Sequence, residues 1–141
     1  MTRGNEAVRR RSRPRFQLVR TEQQTLRWRL LGGNNVSLGA GAGDCARPAE
    51  CLTAITVLRA HMDLLSTDFR HVSGGRWRWL LRLDGVSIAE ATHAYGRRIE
   101  AQRGLDRFRA AAAAASVEDI ETVVDWRHKY RRADSGERTA E

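Results

Sequence analysis

Apolar and polar residues alternate in short bursts from Phe16 onward, and a turn closes each burst. Phe16-x-Leu18 and Leu26-Arg27-Trp28-Arg29-Leu30 have the period of two that puts every second side chain on one sheet face. The polar stretch Thr21-Glu22-Gln23-Gln24-Thr25 between them predicts a hairpin. Gly32-Gly33-Asn34-Asn35 predicts a second turn, since glycine and asparagine tolerate positive φ, and Val36 to Leu38 reads as a short third strand. Gly39, Gly41 and Gly43 read as a flexible loop. The period then changes. From Pro48 to about His61, the residues Cys51, Ala54, Ile55, Leu58 and Met62 follow helical spacing, and proline suits a first helical turn.

The same order then returns. Phe69-x-His71 reads as a strand, Ser73-Gly74-Gly75 as a tight turn, and Arg76 to Leu83 as a strand with Trp77, Trp79, Leu81 and Leu83 on one face. Asp84-Gly85 is a short-hairpin signal. Val86 to Glu90 follows, then a helix from Arg97 carrying Ala101, Gly104, Leu105, Phe108 and Ala112. At an offset of fifty, Val36-Ser37-Leu38 falls on Val86-Ser87-Ile88 and Arg47-x-x-Glu50 on Arg97-x-x-Glu100. A fixed period predicts two supersecondary units, neither able to bury its apolar face alone.

The expected organisation is a disordered basic arm over 1–15, one pseudo-symmetric domain over 16–115, a C-terminal helix over 116–131 and a disordered tail over 132–141. Within the domain, repeat one spans 16–62 and repeat two 68–115. The third helix is expected because Ser116 and Asp119 have the spacing of a capping box, and Val117, Ile120, Val123, Val124 and Tyr130 give it an apolar side. It would cap the core or dock on a protein partner or a second copy of the chain.

At 141 residues the chain suits one domain, large enough to bury roughly 68–70% of its unfolded surface. Two cysteines cannot build a disulfide framework, and no apolar segment follows the arginine-rich N-terminus, so the cytoplasm is the expected location. No stretch approaches the ~18 apolar residues of a spanning helix, so no membrane association is expected. The charge of +8 is uneven: residues 1–20 hold seven arginines against Glu6, and the rest of the chain is nearly balanced. Arginine outnumbers lysine 24 to one, which is what a high-GC genome would encode and which weakens arguments from arginine identity, though not from position.

The twice-given order, with Trp77-x-Trp79-x-Leu81, Asp84-Gly85, the Val86-x-Ile88-Ala89 strand, then Tyr95 and a helix, resembles the YegP-like family. That family is a small bacterial and archaeal domain of unknown function, found as single copies that pair or as tandem copies. The resemblance covers 16–62 and 68–112. It implies an α+β fold: two tandem β-β-β-α repeats forming a shared antiparallel sheet, with two helices packed on one face. Family members usually follow the third strand with Gly-Tyr and a serine cap, where this chain has Tyr95-Gly96-Arg97, with glycine as an acceptable N-cap, and Cys45-Ala46-Arg47-Pro48, with proline suited to the first turn. The family brings no established catalytic residues, so the resemblance implies none here.

Trp28, Trp77 and Trp79 could stack bases, but they alternate in phase with Leu30, Leu81 and Leu83, which favours the core. Trp126, outside the repeats, is the aromatic expected at the surface. Arg27, Arg29, Arg76, Arg78 and Arg82 are expected on the opposite sheet face, either gripping phosphates or lying solvated beside partners such as Glu22 and Glu90. The near-neutral body favours the second. The candidate nucleic-acid-binding residues are Arg9, Arg10, Arg11, Arg13 and Arg15, whose density matches basic arms that bind by counterion release; the alternative is a solubilising tail. His61, His71, His93 and His128 are dispersed, and Cys45 and Cys51 lie six apart, so no metal site, cofactor or catalytic constellation is expected. The sequence therefore predicts a non-enzymatic accessory or binding module.

Overall fold

The computed structural model describes residues 13–115 and the strand at 123–125. Strands β1 (Arg15–Arg20), β2 (Leu26–Leu31) and β3 (Ser37–Gly41) precede helix α1 (Pro48–Ala60). A short 3-10 turn, Met62–Leu64, leads into β4 (Ser66–Val72), β5 (Arg76–Leu83) and β6 (Val86–Glu90), and then helix α2 (Arg98–Ala114). A last strand, β7, spans Val123–Asp125. The strands form one sheet in the order β4-β5-β6-β3-β2-β1-β7. The first six are antiparallel, and the two three-stranded meanders join where β3 pairs with β6 at Ala40↔Glu90 and Gly41↔Ala89. A hydrogen bond between the Ser37 and Thr92 hydroxyls, 2.9 Å long, also crosses this seam.

Alternation governs what is buried. Phe16, Leu18, Trp28, Leu30, Trp79 and Leu81 from the strands share one cluster with Cys51, Ile55 and Leu58 of α1 and with Ala101, Leu105, Phe108 and Ala112 of α2. Phe108 sits between both indoles, with ring centroids 4.6 Å from Trp79 and 6.3 Å from Trp28, and Phe16 meets Trp28 edge-on at 5.6 Å. Trp28 and Trp79 thus face inward, as their spacing predicts, whereas Trp77 is half-buried beside His71. Burying each large side chain contributes roughly 1.5–3 kcal/mol. At Asp84-Gly85 both residues have positive φ, 50° and 81°, the backbone of the tight hairpin that this dipeptide predicts.

Three expectations need correction. The third strand was expected to end at Leu38 in a glycine loop, but Gly39 and Gly41 lie inside β3 and are buried. A Cβ on Gly39 would stand 2.6 Å from Phe108 Cδ1 and 2.8 Å from Trp79 Cη2, and one on Gly41 would stand 2.6 Å from Trp28 Nε1. The rings press on bare backbone, so glycine here serves close approach rather than flexibility.

The helix expected over 116–131 is a strand at Val123–Asp125, which pairs in parallel with Leu18–Arg20 of β1. The outer edge of β1 presents unpaired backbone groups, and the β-branched pair Val123-Val124 favours an extended chain. Residues 123–125 therefore pair with β1 as a strand and do not form part of a docking helix. The rest of 116–131, with Trp126, lies outside the described residues, as do the tail over 132–141 and the arm up to residue 12.

The third correction concerns the caps. The residues at the N-caps are Arg47 (φ −131°, ψ 152°) and Arg97 (φ −133°, ψ 149°), not Gly96. Arginine carries no acceptor, so each box closes from the other side. Glu50 Oε1 accepts from the backbone N–H of Arg47 at 3.0 Å and of Ala46 at 2.8 Å, and Glu100 Oε1 accepts from that of Arg97 at 3.0 Å. The repeated Arg-x-x-Glu is thus a helix start in which glutamate supplies both the hydrogen bond and the charge that suits an N-terminal dipole. Glu100→Ala is expected to lower stability by about 1 kcal/mol and Glu100→Gln by much less, read from urea midpoints.

Candidate basic face of the sheet

The register of the strands assembles one face residue by residue. Gln17, Arg29, Ala40, Glu90, Leu80 and Asp68 are successive partners across β1, β2, β3, β6, β5 and β4, so they form a single row on the side opposite the indoles. Flanking positions at a spacing of two add Arg15, Val19, Arg27, Leu31, Arg70, Arg76, Arg78 and Arg82. Seven arginines thus share this face with Asp68 and Glu90 as its acidic residues. The five arginines expected on the face opposite the tryptophans, Arg27, Arg29, Arg76, Arg78 and Arg82, all lie there.

The face is more built than a solvated surface. Arg27 donates from Nε to the carbonyl of Gly41 at 2.5 Å and from Nη2 to Glu90 Oε2 at 2.6 Å, so it ties β2 to β6 across the seam. Glu90 is the partner the sequence points to. Arg29 is 5% exposed and donates from Nε to Gln17 Oε1 at 2.7 Å, with Nη2 reaching the same oxygen. Arg82 Nε stands 3.3 Å from Asp68 Oδ2. Arg70 and Arg76 have no ion-pair partner among the described residues. Val19 (4% exposed), Leu31 (2%), Ala40 and Leu80 are buried between the arginines, so apolar stems and side chains pack on both sides of this half of the sheet.

Sequence reasoning missed Gln17 and Asp68 as partners. The signal was available in the hairpin register, because Gln17 pairs with Arg29 once Arg20 is set opposite Leu26. Of the arm residues, Arg13 is exposed and Arg15 opens β1 opposite Leu31, half-buried on the arginine face; Arg9, Arg10 and Arg11 lie outside the described residues.

The remaining chemistry-bearing groups are scattered. His61 Nδ1 is 2.9 Å from the Val57 carbonyl, His71 packs on Trp77, and His93 stands near Tyr95. Cys45 is bridged to Leu26, in the other half of the molecule from the Trp77–Tyr95 bridge beside His93. Among the described residues no three His, Cys, Asp or Glu side chains converge on a common point, and no helix is long and apolar enough to cross a membrane.

No family model matches the sequence, and no curated protein matches it. Solved structures do. The protein of unknown function yegP from E. coli superposes with a TM-score of 0.57 at 16% identity, covering 80% of this chain and 92% of that one. The UPF0339 protein SO3888 from Shewanella oneidensis superposes with a TM-score of 0.58 at 9% identity, covering 79% of this chain and 89% of that one. At these identities the likeness is one of fold, and at that level the resemblance read from the tryptophan strand and the Asp-Gly turn is borne out: the chain has the YegP-like α+β fold.

Proposed function

We propose that this chain is a non-enzymatic cytoplasmic accessory module, a tandem duplication of one β-β-β-α unit with both helices across one face, whose arginine arm contacts nucleic acid. The duplication is supported by features that occur once in each half: the bridges Leu26↔Cys45 and Trp77↔Tyr95, and the caps closed by Glu50 and Glu100. The observation that carries the binding reading is the placement of charge. The arm concentrates arginines at 3, 9, 10, 11, 13 and 15 and runs directly into the strand whose Arg15 belongs to the basic face. A backbone polyanion would meet the arm's charge first, with Arg15 as the arm residue that stands on the face.

The test replaces Arg9, Arg10, Arg11 and Arg13 with alanine in the full-length protein and follows DNA and RNA binding across a salt titration. Losing four phosphate contacts should flatten the plot of log affinity against log salt by about 3.6 for duplex DNA and about 2.8 for single strands. An unchanged slope and affinity would remove the arm from the account.

A second reading is favoured by the pairing of the face's own arginines, since Arg27, Arg29 and Arg82 are engaged by Glu90, Gln17 and Asp68 rather than held open for phosphate. In it the sheet face meets a protein and the arm only keeps the chain in solution. Failure of the unsubstituted full-length protein to bind either nucleic acid at low salt would support that reading instead.

A further inference from the structure

The two ends of the sheet are finished differently. At one end β7 lies on Leu18–Arg20 of β1, and at the other the outer edge of β4 carries no strand among the described residues. The two edges correspond by register, since Leu18 stands opposite Trp28 in its hairpin and Phe69 opposite Trp79 in its own. Phe69–His71 is therefore the counterpart of the stretch that β7 covers. Its outward backbone groups have no strand partner among the described residues.

Proteins protect such edges with proline, a bulge or charge. β4 holds no proline and pairs with β5 without a break in register, so its protection rests on Asp68 and Arg70, which share the arginine face. Arg70 is exposed, stands directly opposite Arg78 of β5 and has no ion-pair partner among the described residues. A like charge opposite is unfavourable, so this position would gain from an acid. Asp68 meets Arg82 through Oδ2, yet its side chain is 47% exposed, and a carboxylate can accept from a second cation as well.

These charges obstruct most incoming strands but match one another. When two β4 strands run antiparallel about an axis between their Phe69 residues, Asp68 of each copy falls opposite the partner's Arg70, on one face and with Cβ atoms about 5 Å apart. On the other face the two Phe69 rings meet, each under the guanidinium of its own Arg98, which lies 4.4 Å from the ring centroid. Centring the pair on Asp68 or Arg70 instead would set like charges face to face, so charge selects the register. We propose that the outer edge of β4 is a self-recognition surface, where a second copy of this chain adds its own β4 antiparallel in the register centred on Phe69.

The test follows the mass of nuclease-treated full-length protein by sedimentation at about 1–500 µM, a span suited to small interfaces. The wild type should pass from monomer to dimer as concentration rises. Asp68→Arg and Arg70→Asp each oppose like charges at both symmetric contacts and should raise the dissociation constant about tenfold or more. Mixed in equal amounts, the two variants should recover the dimer, because each carries the charges the other needs, and that recovery also shows both to be folded. A wild type that stays monomeric at the highest concentration, as it would if another segment of the chain already lay on this edge, overturns the proposal. So does a dimer indifferent to both reversals, or a mixture that fails to pair.

Discussion

Replacing Trp79 with alanine is expected to cost about 3–5 kcal/mol, a large share of the ~5–15 kcal/mol that holds a domain of this size. The indole is fully buried, tilts against Phe108 at 4.6 Å and belongs to the cluster that both helices share. Its removal leaves a void that neither the sheet nor α2 can close without moving the other. Urea unfolding followed by far-UV circular dichroism would show the midpoint collapse, and a shift below about 1 kcal/mol would mean that the core does not rest on this ring. Trp79→Phe should be far milder. The Trp79 Nε1 donor is buried without a partner, so phenylalanine keeps aromatic contact and removes an unsatisfied polar group.

The second large effect is a contrast between two glycine-to-alanine changes. Gly39→Ala should destabilise by about 1–3 kcal/mol, because the new methyl would meet Phe108 and Trp79, both fully buried and both held by neighbours. Gly104→Ala also meets a ring, that of Tyr95, but Tyr95 is only half-buried and can swing outward. Gly104 also lies inside α2, where alanine is favoured by about 1 kcal/mol. Gly104→Ala is therefore expected near neutral. Equal losses in the two variants, measured by the same urea midpoints, would show that ring mobility does not decide the outcome.

What the sequence made legible was whatever repeats at a short period. Strand alternation put Trp28 and Trp79 inside and five arginines outside, and Asp84-Gly85 announced its turn, because each depends on residues within one or two positions. What stayed hidden depended on partners far along the chain. Gly39 and Gly41 carry no local mark of a strand, since only the rings of residues 28, 79 and 108 explain them. Val123-Val124 fits a helical stripe until the vacant side of β1 competes for it. The basic face was half legible. Its arginines follow from alternation, but the burial of Arg29 and its bond to Gln17 require the register of a neighbouring strand.

The three-residue β7 has a bearing on self-association. It pairs only with Leu18–Arg20 of β1, whereas among the described residues β4 at the far side offers seven residues, Ser66–Val72, with an unpaired flank. Endless filaments need a sticky flank at each end of the building block. Pairing through β4 alone, strand against strand about a two-fold axis, would close on a pair of molecules.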